Sequence, residues 1–89
     1  MLTAMQATLV TNLGDFLSST LGSHCRCQYR YGREFIWSSH ANGFVMCVNI
    51  IYGRRVTVWL SDSVSGYAED LCRLITESTQ LPVQILQEV

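Results

Sequence analysis

GFVMCVNIIYGRRVTVWL, residues 43–60, is two apolar runs, Phe44 to Tyr52 and Val56 to Leu60, around the polar turn Gly53-Arg54-Arg55. The first run is nine residues long, has Asn49 as its one strongly polar member, and is rich in β-favouring types. Such a run suits a strand covered on both faces. It is far short of the roughly 20 apolar residues that span a bilayer. The stretch therefore predicts a central β-hairpin that the rest of the chain covers or extends.

Upstream of it, Glu34 to Ser39 forms a short strand around Phe35, Ile36 and Trp37, and Ala41-Asn42-Gly43 supplies a hairpin turn. Before that, His24 to Tyr31 alternates, with Cys25, Cys27, Tyr29 and Tyr31 on one side and His24, Arg26, Gln28 and Arg30 on the other. That pattern is a half-buried strand with one basic, polar face. Gly32-Arg33 marks the turn after it.

Two helices flank these strands. In Leu2 to Leu21, the residues Leu2, Met5, Leu9, Leu13 and Phe16 fall on one stripe, with Val10 and Leu17 at its edge and Gly22 as the stop. The opposite side carries Ala4, Ala7, Thr11, Gly14 and Ser18, a row of small residues at heptad-like spacing. Such a row lets another backbone approach closely, so it is the candidate surface for self-association. The second helix carries Val64, Tyr67, Leu71, Leu74 and Ile75 inward, with Asp62 as its expected N-cap, and ends ahead of Pro82. Val83 to Val89 then alternates as a last strand, and the proline at its start places it at a sheet edge.

The expected fold is a single α+β domain over residues 1–89, a two-layer sandwich of order α-β-β-β-β-α-β. Its sheet is mostly antiparallel, with both helices on one face. The order helix, three strands, helix is similar to that of the double-stranded-RNA-binding module. That module has a basic second helix, however, and here the second helix is acidic.

The chain has 89 residues, of which 48% are hydrophobic and 15% charged, against about 25% charged in typical domains. So few charges leave little to keep a lone monomer's surface polar, which favours a partner. Lysine is absent. Residues 1–61 carry five arginines against Asp15 and Glu34, and residues 62–89 carry five carboxylates against Arg73. The net charge of −1 is thus split into a basic part and an acidic part. It does not resemble the strongly basic balance of a non-specific nucleic-acid binder.

Catalytic and metal motifs are weak. Cys25 and Cys27, with His24, His40 and Cys47, supply zinc-type ligands, but structural zinc sites use C-x₂₋₄-C spacing, so core thiols are the expected reading. Glu69-Asp70 reads as a solvated helix face. Phosphate-loop, H-E-x-x-H and G-x-S-x-G signatures do not occur. The expectation is a non-enzymatic domain without metal or cofactor. With no secretory or transit pattern at the N-terminus, it is placed in the cytoplasm with its cysteines reduced and no membrane partner.

The arginines carry the functional signal. Arg26, Arg30, Arg33, Arg54 and Arg55 form the candidate partner-binding set, joined by Trp37, and by Trp59, if those indoles face outward. Arginine and tryptophan are favoured anchors for a protein partner. Arginine with aromatics on a sheet face also suits single-stranded nucleic acid, the alternative reading. The expected function is a small protein-binding domain, a homodimer or a subunit or inhibitor of a larger assembly. Short lysine-free chains without catalytic motifs are the kind that mobile elements encode to bind host machinery.

Overall fold

Thr3 opens the first helix with a capping box: its hydroxyl accepts from the Gln6 backbone N–H at 3.1 Å, and the Gln6 side-chain oxygen accepts from the Thr3 N–H at 2.9 Å. The helix α1 runs Ala4–Leu21 and closes at Gly22, whose φ of +64° fits the left-handed C-cap. The chain continues as β1 (Cys25–Arg30), β2 (Glu34–Ser39), β3 (Gly43–Ile51), β4 (Arg55–Leu60), α2 (Ala68–Thr79) and β5 (Val83–Ile85). This computed structural model describes residues 2–86, so Gln87, Glu88 and Val89 of the expected last strand lie outside the described residues.

The five strands stand in chain order, β1 to β4 antiparallel and β5 parallel to β4, with both helices over one face. The fold is the expected α+β arrangement. β5 is an edge strand after Pro82, whose carbonyl accepts from Val56 N–H. The core lies between the layers. Leu9, Leu13 and Leu17 of α1 and Leu71 and Ile75 of α2 meet Phe35, Trp37, Met46, Val48, Ile50, Val56, Val58 and Leu60.

Three local expectations are corrected. The buried stripe of α1 is Gln6, Leu9, Leu13 and Leu17, while Leu2 is exposed and Met5, Val10 and Phe16 are partly buried. The four-residue step from Leu9 through Leu17 sets the face, and Gln6 joins it because its amide is hydrogen-bonded. Asp62 does not cap α2. Buried Val64 instead anchors a turn, bonded through its N–H to Ser61 O. A 3₁₀ turn at Ser65–Tyr67 follows, and the helix begins at Ala68. Finally, β3 is covered on one face only. A bulge opposite Trp37/Ser38 sends both Val45 and Met46 into the core, and beyond it the alternation leaves Cys47, Asn49 and Ile51 on the open side.

Candidate functional site

The open face is built by cross-strand register. Gln28, Ile36, Cys47 and Trp59 form one row across β1 to β4, spanning about 14 Å at the usual strand spacing. Below it lie Arg26, Ser38 and Phe44. Above it lie Arg30, Glu34, Asn49, Thr57 and Gln84, and then Ile51 with Arg55. Ile36, Phe44, Cys47 and Ile51 are half-buried, and Trp59 is 37% exposed. In-plane neighbours shield this apolar centre, and none of the two described helices covers it. A shallow cleft of about 660 Å³ sits at its lower corner, lined by Arg26, Ile36, Ser38, His40 and Phe44 among others.

The predicted arginines separate into two groups. Arg26, Arg30 and Arg55 point to the open face, while Arg33 and Arg54 occupy the two hairpin tips at its upper end. Arg30 pairs with Glu34 at 2.7 Å. Among the described residues, Arg26, Arg33, Arg54 and Arg55 have no ion pair. The tips are joined: Tyr52 Oη donates to Gly32 O at 2.9 Å, and Ile50 N–H donates to Arg33 O at 2.9 Å. Arg33 and Arg55 therefore flank the end of β3 from either side.

Trp37 does not belong to the site. It is fully buried on the helix side, stacked on Phe35 with ring centroids 6.1 Å apart. Strand alternation sends Phe35 and Trp37 the same way, and the bulky pair fills the space under α1. Trp59 takes the outward position. The small-residue row is also divided. Ala4, Ala7 and Thr11 are exposed, whereas Gly14 and Ser18 turn toward the sheet. The Ser18 hydroxyl accepts from Cys25 N–H at 3.1 Å, and a methyl group at Gly14 would meet Trp37 Nε1 at 3.9 Å.

Tyr31 is a member that the sequence pattern missed. It is 79% exposed and adopts φ +57°, followed by Gly32 at +69°, with Arg33 N–H donating to Arg30 O at 3.2 Å. Positive φ at both central positions is the type I′ pattern, where Asn-Gly is favoured. The Arg30 guanidinium lies 5.6 Å from the Tyr31 ring centroid. Tyr31→Asn should raise stability by about 0.5–1 kcal/mol in urea denaturation, since a left-handed conformation costs a non-glycine residue about 1–2 kcal/mol and asparagine tolerates it better. An unchanged or lower midpoint would show that the aromatic ring offsets that strain.

The four cysteines are free and divided between layers. Cys25 and Cys27 face the helices, Cys47 faces the open side, and Cys72 lies on α2. Among the described residues no three His, Cys, Asp or Glu gather closely enough to hold a metal ion. Burial raises every thiol pKa, most clearly that of Cys27, pushed up to about 11 against a smaller opposing hydrogen bond from the Ile36 backbone. At neutral pH these groups are thiols, the poorer nucleophiles. No described helix is long and apolar enough to cross a membrane. No family model, curated protein or solved structure matches the chain.

Proposed function

We propose that this chain is a small non-enzymatic protein-binding domain, a subunit or inhibitor of a larger assembly, that docks through the open face of its sheet. The observation that carries this reading is the row Ile36, Cys47 and Trp59, bordered by Arg26, Arg30 and Arg55 on a face with no covering layer among the described residues. An apolar centre with an arginine border is the anatomy of a protein interface, and tryptophan and arginine are its usual anchors. The raised thiol pKa values argue against cysteine catalysis. The partner that fits is acidic at its rim.

The rival is single-stranded nucleic acid, favoured by Trp59 and Arg55 standing four residues apart on one face of β4. Capture from source cells with the wild-type chain and with Trp59→Glu decides between them. A protein partner should be lost with Trp59→Glu and, once purified, should protect Cys47 from alkylation. Capture unaffected by Trp59→Glu, or oligonucleotide binding that falls steeply with salt, would overturn the reading.

A further inference from the structure

Among the described residues β1 is the longer free edge of the sheet: β5 at the other end has three residues and follows a proline, whereas β1 has six residues and no proline. Arg30 turns its carbonyl toward β2, where it accepts from Arg33, and Cys25 turns its N–H the other way, to the Ser18 hydroxyl. Residues of an antiparallel strand alternate in this respect. Cys27 and Tyr29 therefore direct both backbone N–H and C=O to the free edge, and Ser18 closes its lower end. Along the same strand, the open-face side chains are Arg26, Gln28 and Arg30.

Resting on the protein-binding reading above, we propose that the β1 edge takes an extended acidic segment of a partner protein as a sixth, antiparallel strand. Backbone bonds to Cys27 and Tyr29 would supply the affinity, and carboxylates four residues apart would face Arg26, which has no ion pair among the described residues, and Arg30, which already pairs with Glu34. A second copy of this chain is a poor occupant. Self-pairing that uses the free groups of Cys27 and Tyr29 sets Gln28 opposite its own copy and Arg26 opposite Arg30, a like-charge contact. A short acidic strand meets no such obstacle. It also extends the open face sideways, so the two surfaces are continuous.

The probe is the peptide acetyl-Thr-Glu-Val-Thr-Val-Glu-Thr-amide, followed by amide hydrogen exchange and chemical shifts on the intact chain. Binding should slow exchange at Cys27 and Tyr29, and N-methylation of both valines should abolish it. Arg26→Glu should weaken the acidic peptide about fivefold, the scale of turning one favourable cross-strand ion pair into a repulsive one, and should favour the same peptide with lysines in place of glutamates. No protection at Cys27 and Tyr29 at millimolar peptide overturns the proposal. Shifts confined to Cys47 and Trp59 overturn it while leaving the open-face reading standing. Stronger edge protection by a thymidine oligonucleotide than by the peptide overturns both.

Discussion

Replacing Trp37 with alanine is expected to cost about 3–5 kcal/mol, the range for emptying a large aromatic site in a core. That is a large share of the roughly 5–15 kcal/mol that holds a domain folded. The indole is fully buried, stacks on Phe35 and lies against α1 at Gly14. Its Nε1 is buried without a hydrogen-bond partner among the described residues. Leaving a donor unsatisfied costs about 1–3 kcal/mol, so Trp37→Phe, which removes that donor along with some volume, should cost much less than the alanine change. Trp59→Ala, on the open face, should stay within about 1 kcal/mol. Urea denaturation of the three variants measures the contrast. Equal losses for Trp37→Ala and Trp59→Ala would place the two indoles in similar surroundings and refute the division of faces on which the site rests.

That division marks the boundary of what the residues reveal before folding. The element order, the five strands and the acidic second helix are legible because each has a clean period and turn signals at Gly32, Asn42-Gly43 and Gly53. The side taken by Trp37 is legible as well: in Glu34 to Ser39 alternation sets Phe35 and Trp37 against Glu34, Ile36 and Ser38, the more polar side. Register agrees, since Trp37 stands opposite Met46 and Cys27, both on the helix side. The bulge at Val45, by contrast, has no sequence mark, and it explains why an almost unbroken apolar run still leaves Cys47 and Ile51 on an uncovered face. The arginines are legible as a set, yet only the pairing of the hairpins separates Arg26, Arg30 and Arg55 from Arg33 and Arg54. Gln6 is the opposite case. Thr3-Ala4-Met5-Gln6 is a capping-box pattern, and reading it as one would have moved the start of α1 and its buried face to where they stand.

Gln6→Ala should therefore be the second most damaging change, at about 2 kcal/mol, although it removes a polar side chain. The buried Gln6 amide does three things at once. Its oxygen caps the Thr3 N–H, and its nitrogen donates to Tyr29 Oη at 3.3 Å and to Tyr52 Oη. Tyr52 in turn donates to Gly32 O, so one side chain ties the start of α1 to β1 and to both hairpin tips. Each bond contributes about 0.5–1.5 kcal/mol net. For a domain of this size a 2 kcal/mol loss lowers Tm by roughly 10 °C. Gln6→Glu separates the roles: it keeps an acceptor for Thr3 but takes away the amide donor, so it should recover only part of the loss. A double-mutant cycle of Gln6→Ala with Tyr52→Phe should show coupling of about 1 kcal/mol. Additive losses would mean that the tips are held by their own turns and that Gln6 acts on the helix alone. Coupling would make the position of Arg33 and Arg54 depend on a residue far upstream of both in the sequence, buried behind the surface they form.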